Sequence, residues 1–361
     1  MTDLLPHLSI LLPPARLAEL EPLRARLNSD EAVAAELVRR GWLTPLQGRW
    51  LLRGHGRRLV VGHYLIHKRI GTGGMGEVFL AHHRRMGRDA ALKVVRVDRR
   101  DDERHRARFI REVRALGRLS HPNVVHAYDA GAVRRTLYLA MEFVPGPDLG
   151  QLVDSNGPLE PGSACEYMRQ AALGLSHMHR RGLVHRDVKP SNLGLAGGGA
   201  EVKVLDVGLV KDRIPEAEPD GELTRDGHLV GSPDYAAPEQ GADSRGADHR
   251  ADQYALGCTL YHLLTGRVPF VGGTSVKKAL QRLTEDPPPA EELRPGLPAG
   301  LGKLLRRLLA REPRHRFPDM ASAAAALVPF ATPVLTPVAP APLAAGDTAH
   351  TLPTCPDVRL E

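Results

Sequence analysis

The stretch 183–193, with the sequence LVHRDVKPSNL, constrains this chain most, because it places three chemically different groups within six residues. Asp187 is followed by Lys189 two residues later and by Asn192 five residues later. A carboxylate can accept the proton of an attacking hydroxyl, a lysine can steady a moving phosphate, and an asparagine oxygen can hold Mg²⁺. A His-Arg-Asp triplet alone is also typical of a polar surface loop, but the Lys-Pro-x-Asn that follows argues against that alternative.

Composition limits the class of protein. The 361 residues, 42% of them hydrophobic, are enough for one large domain and a small appendage. The net charge of +7 fits a nucleic-acid-binding protein or a protein that handles polyphosphate. No nucleic-acid motif accompanies the charge, so we expect no nucleic-acid partner. The three cysteines are Cys165, Cys258 and Cys355, which lie far apart and lack the spacing of metal ligands. This pattern predicts a reducing, cytoplasmic location.

No segment has the pattern of a secretory signal or a membrane helix. The leucine-rich start carries Asp3, Pro6 and His7 and lacks a positive leader. The long uncharged stretch 321–346 is interrupted by a proline every few residues, which a membrane helix does not tolerate. The sequence therefore predicts no membrane span.

Residues 1–60 predict a small helical appendage in which we recognise no chemistry. Leucines recur at helical spacing over 15–27, a second helix begins at Ser29 or Asp30, and a third opens at Thr44. The apolar content is too small to predict a free-standing domain. Two alternatives stay open, namely docking on the rest of the chain and binding of a partner.

A glycine-rich stretch supplies the second set of candidate residues. Its glycines let backbone amides approach phosphates without side-chain obstruction. Dinucleotide-binding folds use the same GxGxxG string, but there it must lead into a helix. Here it leads into the β-rich run Glu-Val-Phe-Leu-Ala, which predicts a hairpin that closes over a nucleotide. The candidates are Gly71, Thr72, Gly73, Gly74, Met75 and Gly76.

Two charged residues lie in β-rich runs downstream of these glycines. A lysine such as Lys93 normally lies at a strand edge with its ammonium in water, but roughly 20 residues after a glycine-rich hairpin it is better placed to bind phosphates. Glu112, in the basic helix predicted over 104–119, is the candidate anion that orients it, and a surface glutamate is the alternative. Asp206 ends the run 202–206, where its carboxylate can hold Mg²⁺.

These motifs, in this order and spacing, resemble those of the eukaryotic-like (Hanks-type) serine/threonine protein kinases, in particular their bacterial members. The resemblance covers roughly 63–330. It implies an α+β, two-lobed protein kinase fold with a β-rich N-lobe at 63–146, a mostly helical C-lobe at 147–330 and ATP in the cleft. The Pro/Ala-rich tail 331–361 is predicted to be disordered.

The resemblance implies transfer of the ATP γ-phosphate to Ser or Thr hydroxyls of protein substrates, since Lys189 favours these acceptors over tyrosine. Mg²⁺, with Mn²⁺ as the alternative, would be held by Asn192 and Asp206. The implied catalytic residues are Asp187, Lys189, Lys93 and Glu112. The implied adenine-pocket residues are Val78, Ala91, Met141, Glu142 and Val144.

The segment 206–239 resembles the activation loop of the family. Thr224 is the implied site of autophosphorylation, and Arg186 would receive its phosphate through a bidentate contact. Ser232 would face the substrate, and a homodimer would permit phosphorylation in trans. Structural roles are implied for a Glu239–Arg316 ion pair and for Asp252, which would hold the backbone of the 183–193 loop.

Two residues depart from the family pattern. Val207 stands where phenylalanine is usual, and Gly194 stands where an aliphatic side chain usually forms the floor of the adenine pocket. Both favour the alternative of a kinase-fold scaffold (pseudokinase) that binds nucleotide or partners without turnover. All the catalytic groups are present, which favours the active enzyme. A kinase acting on small molecules is disfavoured by Ser232-Pro233 and by the Ala-Pro-Glu at 237–239, which resemble a platform for peptide substrates.

Overall fold

The computed structural model describes most of the chain, and its described residues divide at 113/114, 126/127 and 143/144 into two compact units. The first unit contains the N-terminal helices and a six-stranded sheet, and the second contains a two-stranded hairpin and the remaining helices. The described residues are 5–73, 76–96, 107, 109–110, 113–133, 136–206, 234–242 and 248–334.

Four α-helices open the first unit over 5–52, one more than the three that the sequence predicts. The additional helix, α1, spans Leu5–Leu11, and it is followed by α2 at Pro14–Arg26, α3 at Asp30–Arg39 and α4 at Pro45–Leu52. The three predicted helices are confirmed as α2, α3 and α4, and the sequence did not show α1 because it has only seven residues. Two turns show too few apolar repeats for a helical period to be read from the sequence.

The four helices enclose an apolar core that continues into the sheet. Ser29 caps α3 by accepting a hydrogen bond from the Ala32 amide at 3.1 Å. Leu65 of the sheet belongs to the same buried cluster, so the appendage docks on the rest of the first unit. The cluster consists of Leu8, Leu11, Leu12, Leu20, Leu23, Val33, Leu37, Leu43, Leu51, Leu59 and Leu65.

The sheet of the first unit is antiparallel, with strand order β1-β2-β3-β4-β6-β5. Apolar residues of one face form a second buried cluster that includes Phe79, Leu92 and Ala140. The strands span Val60–Val61, Tyr64–Gly73, Gly76–His83, Arg88–Arg96, Ala127–Val133 and Thr136–Met141, numbered β1 to β6 in chain order.

A β-bulge at His67 interrupts the pairing of β2 with β3. Ile66 pairs with Ala81 whereas Lys68 pairs with Leu80, so His67 has no partner residue on β3. The imidazole is 3% exposed. Burial lowers the pKa of His67 to about 4, because the charged form would lose its hydration.

This pKa predicts a loss of stability in mild acid. The unfolded chain binds a proton near pH 6.5 but the folded chain binds it near pH 4, so the unfolded state is favoured as the pH falls through that interval. The shift corresponds to about 3 kcal/mol of unfolding free energy. Denaturant titrations between pH 7 and pH 4 measure it. His67→Gln should reduce the pH dependence by about this amount, whereas replacing the exposed His63 by Gln should change it less.

The second unit is built around the helix Arg250–Thr265. Thirteen of its 16 residues are buried, which is expected of a helix surrounded on all sides by other elements. Cys258 lies in this helix, and burial raises the pKa of its thiol to about 12, so it is a core residue. The other helices span Leu149–Asn156, Pro161–His179, Pro238–Ala242, Ser275–Thr284, Ala290–Leu293, Leu301–Leu308 and Met320–Leu327.

The second unit also holds a hairpin of β7 at Leu193–Ala196 and β8 at Glu201–Val204, which directly follows the 183–193 loop. Its strands pair in antiparallel register from Leu193↔Val204 to Ala196↔Glu201. In the described part of the chain, no helix combines the length and the apolar character needed to cross a membrane.

Candidate active site

Asp187 lies at the centre of a tight polar cluster in the second unit. Its side chain is 9% exposed. The ammonium of Lys189 lies 3.1 Å from its Oδ2. Asn192 donates from Nδ2 to the same Oδ2 at 3.1 Å and to the Asp187 carbonyl at 2.8 Å. The three groups that the sequence places in one loop therefore also meet in space.

His185 fixes the backbone of this loop. Its Nε2 donates to the Leu205 carbonyl at 2.8 Å, and its Nδ1 accepts a hydrogen bond from the Asp187 amide at 3.3 Å. Both contacts require the neutral tautomer with the proton on Nε2. The bond to Leu205, the residue after β8, links the loop to that strand, and it is shielded from water because His185 is only 1% exposed.

Asp252, from the buried central helix, supports the loop from below. Its carboxylate accepts hydrogen bonds from the amides of His185 at 2.9 Å and Arg186 at 2.8 Å, and His179 Nε2 lies 2.7 Å from Oδ2. Burial by itself would raise the pKa of Asp252, but the hydrogen bonds from His179 and from the His185 amide keep it below the usual value. A charged Asp252 thus anchors two consecutive amides of the loop.

Two non-glycine residues of the site have positive φ. Arg186 has a φ of 63° and Asp206 a φ of 50°. Such left-handed backbone is unfavourable for residues with a Cβ and persists where surrounding contacts enforce it. The Asp252 contacts provide that enforcement at Arg186, next to Asp187.

Asn192 and Asp206 are the residues that could hold a divalent cation. Asn192 uses Nδ2 for both of its bonds to Asp187, and no hydrogen bond found in the described residues uses its Oδ1. An amide oxygen and a carboxylate are ligands that Mg²⁺ accepts. Burial lowers the pKa of Lys189, and the negative charge of Asp206 opposes that shift, which indicates that these two side chains interact. Among the described residues, no group of three or more His, Cys, Asp or Glu side chains is arranged as a metal site.

A buried ion pair ties Pro238–Ala242 to the C-terminal part of the second unit. Arg316 donates to both carboxylate oxygens of Glu239, at 2.5 and 2.9 Å. The Arg316 side chain is fully buried, and its remaining N–H groups donate to three carbonyls, those of Arg250, Ala310 and Arg311.

In the first unit, the glycines flank the turn between β2 and β3. Gly76 has a φ of 146°, and a Cβ there would lie 2.2 Å from the Val94 carbonyl oxygen, so the backbone itself requires glycine. A Cβ at Gly71 would meet only Val78 at an ordinary distance of 3.7 Å. Protein packing therefore does not explain the glycine at 71, which fits close approach of a ligand at that position.

Lys93 lies in β4 and is 7% exposed. The register places it opposite Val78, and it places Ala91 opposite Met141. Because side chains alternate along a strand, Lys93 and Ala91 share one face of the sheet with these two partners. That face is opposite to the one that carries Phe79 and Leu92, so the predicted nucleotide residues of the strands lie together.

The space beside Gly194 is already occupied. A Cβ at this position would lie 3.1 and 3.3 Å from the two methyl carbons of Leu205 and 3.3 Å from Val144 Cγ1. The side chain that Gly194 lacks is thus replaced locally by those of Leu205 and Val144. The glycine leaves no void in the second unit, contrary to what its small size suggests.

Several predicted residues fall outside the described parts of the chain. These are two residues of the glycine-rich turn, the predicted partner of Lys93, and three residues of the activation segment. The residues concerned are Gly74, Met75, Glu112, Val207, Thr224 and Ser232. What the sequence predicts for them stays a prediction.

Comparison with known families decides what this arrangement belongs to. The family model described as the protein kinase domain matches residues 64–327, which is most of the chain. The chain belongs to the protein kinase family. Two compact units, one built on an antiparallel sheet and one mostly helical, are the α+β lobes of that fold.

Relatives of this kinase chain are bacterial enzymes. It is 40% identical over 260 residues to the serine/threonine-protein kinase pkn3 of Myxococcus xanthus, covering 70% of this chain and 47% of pkn3. It is 38% identical over 263 residues to PknB of Mycobacterium tuberculosis, a match that covers 72% of this chain and 41% of PknB. It is 37% identical over 260 residues to PrkC of Bacillus subtilis, which covers 72% of this chain and 39% of PrkC. The match thus spans less than half the length of each of these relatives.

A solved structure supports the same assignment. The crystal structure of the Mycobacterium tuberculosis PknI kinase domain matches with a TM-score of 0.59 and 31% identity, covering 75% of this chain and 98% of that domain. The chain is therefore a bacterial Hanks-type kinase by sequence and by fold.

Two residues that hold the kinase loop were missed in the sequence. His179 contacts Asp252 from 73 positions away, and Gln240 Nε2 donates to the Arg186 carbonyl at 3.4 Å. Neither lies in a motif that we recognised, so no local signal identifies them. The sequence shows His185 as part of the His-Arg-Asp triplet, and its position two residues before Asp187 is a signal from which its role could be predicted.

Proposed function

We propose that this kinase transfers the γ-phosphate of ATP to serine and threonine hydroxyls of proteins. The observation that carries the proposal is the cluster in which Lys189 and Asn192 both contact Asp187 Oδ2. The relatives named as serine/threonine kinases support the same acceptor class. Those relatives are longer proteins, so the substrates of the present chain are inferred at the level of class only.

Each residue has a defined task in the proposed reaction. Asp187 accepts the proton of the substrate hydroxyl. At the same time the hydroxyl oxygen of the substrate forms a new bond to the γ-phosphorus, and the bond between the γ-phosphorus and the ADP oxygen breaks. Lys189 stabilises the phosphate in transfer, and Lys93 binds the α- and β-phosphates, oriented by Glu112. Ser232 faces the substrate hydroxyl.

A divalent cation, proposed to be Mg²⁺ with Mn²⁺ as the alternative, neutralises the phosphates when it is bound. Asn192 and Asp206 would hold it through oxygens. The adenine would contact Val78, Ala91, Met141 and the backbone of Glu142 and Val144.

We further propose that the kinase acts in the cytoplasm and phosphorylates Thr224 in trans within a transient homodimer. The buried thiols of Cys165 and Cys258 are unpaired, which fits a reducing compartment. Arg186 would receive the phosphate of Thr224.

The test is phosphate mapping by mass spectrometry after incubation with Mg·ATP. The unmodified protein should gain phosphate on Thr224 and label a generic protein substrate, and Lys93→Met should do neither. Lys68→Met is the matched control, because Lys68 lies in the same sheet without an assigned role. If neither the unmodified protein nor the control gains or transfers phosphate, the scaffold alternative replaces this proposal. Labelling that rises more than linearly with protein concentration would support the trans reaction.

A further inference from the structure

The appendage contacts the sheet through α4, and the contact begins at the first turn of that helix. Thr44 and Gln47 form a capping box, in which Thr44 Oγ1 accepts from the Gln47 amide at 3.3 Å and Gln47 Oε1 accepts from the Thr44 amide at 2.9 Å. The remaining donors of the two side chains point to β2. Thr44 Oγ1 donates to the His67 carbonyl at 2.5 Å, and Gln47 Nε2 donates to the Ile66 carbonyl at 2.8 Å.

These two carbonyls lie at the bulge of β2. Strand β1 pairs only with Tyr64 and Leu65, so it does not cover the edge of β2 beyond that point. Buried carbonyls require donors, and the side chains of α4 supply them. Gln47 is 2% exposed, so its hydrogen bond is made away from water. The appendage therefore completes the pairing of the strand that leads to the glycine-rich turn.

One turn further along α4, Trp50 packs on β3. Its ring lies edge-on to Phe79, with 5.7 Å between ring centroids and an interplanar angle of 75°, a favourable aromatic geometry. Leu46 and Trp50, four residues apart on one helix face, both pack against the cluster that contains Phe79 and Leu92. Trp50 also packs against the leucine core of the appendage, so it joins the two clusters.

The contacted residues are next neighbours of the predicted nucleotide residues. Phe79 follows Val78 and pairs with Leu92, which precedes Lys93. Val78 and Lys93 project from the other face of the sheet. A displacement of β3 at Phe79 therefore moves the backbone that carries both.

We propose that Trp50 is a positioning residue for nucleotide binding. Helix α4 packs on the face of the sheet that carries Phe79 and Leu92, and it thereby keeps β2 and β3 in the position that Val78 and Lys93, on the opposite face, need for binding the nucleotide. This inference rests on the proposed binding of ATP. Since the same two strands carry both sets of side chains, we expect a nucleotide that orders Val78 and Lys93 to shift Phe79 as well, and with it the surroundings of Trp50.

The chain contains two tryptophans, Trp42 and Trp50, which allows a matched fluorescence experiment. Trp42 belongs to the appendage core, stacked near the guanidinium groups of Arg16 and Arg40, and it is not part of the sheet cluster. Trp42→Phe leaves Trp50 as the sole indole, and Trp50→Phe leaves Trp42. The probe is the Mg²⁺ complex of a non-hydrolysable ATP analogue, with binding measured separately by calorimetry.

We expect saturable binding to change the emission of the Trp42→Phe protein and to leave that of the Trp50→Phe protein unchanged. Binding with unchanged emission in Trp42→Phe, or with equal changes in both, overturns the inference and leaves the proposed function standing. If the unmodified protein binds no analogue, the proposed function fails and the inference fails with it.

Steady-state kinetics provide the second measurement. Trp50→Ala should raise the KM for ATP about 5- to 20-fold while changing kcat less, because the side chain acts on nucleotide binding and not on the transfer step. Trp42→Ala removes the same ring from the same appendage and should leave the KM for ATP unchanged. Equal effects of the two variants, or a fall in kcat alone, would assign Trp50 a general structural role and overturn the proposal. If Trp50→Ala does not fold, the fluorescence comparison of Trp42→Phe with Trp50→Phe decides between the two roles.

Discussion

Replacing Asp187 by asparagine is expected to slow phosphoryl transfer by about 10²- to 10⁴-fold, the range that a positioned general base contributes. The amide keeps the shape of the side chain but cannot accept the hydroxyl proton. It also removes the negative charge that Lys189 contacts at 3.1 Å. Initial rates at saturating ATP, with a generic protein substrate, measure the effect.

The control for this variant is nucleotide binding, which should change little because Asp187 is not assigned to the nucleotide. Calorimetric titration with the Mg²⁺ complex of an ATP analogue should match that of the unmodified protein, and the thermal midpoint of unfolding should lie above the assay temperature. A rate within tenfold of the unmodified protein would remove Asp187 from the role of proton acceptor.

Replacing Arg316 by methionine is expected to reduce the unfolding free energy by about 3 kcal/mol, the lower end of the cost of breaking a buried ion pair from one side, because the Glu239 side chain is 23% exposed. Arg316 is fully buried and contacts Glu239 through two bonds, so its loss leaves a carboxylate without its partner. Three carbonyls also lose a donor. Chemical denaturation at neutral pH measures the change.

Arg306→Met is the matched control. Arg306 lies 3.1 Å from Glu291, but the two side chains are 60% and 42% exposed, and such surface pairs contribute at most about 1 kcal/mol. A loss at Arg316 no larger than the loss at Arg306 would show that burial of the Glu239 pair adds nothing to stability.

Local constellations could be predicted from the sequence because their members are close along the chain. Asp187, Lys189 and Asn192 lie within six residues, so one tight loop is enough to bring them together. The turn between β2 and β3 could be predicted for the same reason. The shared face of the strand residues beside it could be predicted because side chains alternate strictly along paired strands. The Glu239–Arg316 pair spans 77 positions, and only the resemblance to kinases suggested it.

The tertiary structure alone decided the contacts that join distant segments. Nothing near His179 in the sequence points to Asp252, and nothing near Gly194 shows that Leu205 fills the space beside it. The sequence of the appendage was compatible with docking and with a free partner surface. Helical periodicity gives the apolar face of α4 but not the surface that it covers. That choice depends on shape and hydrogen-bond complementarity to the bulge of β2, which exists only once the sheet has formed.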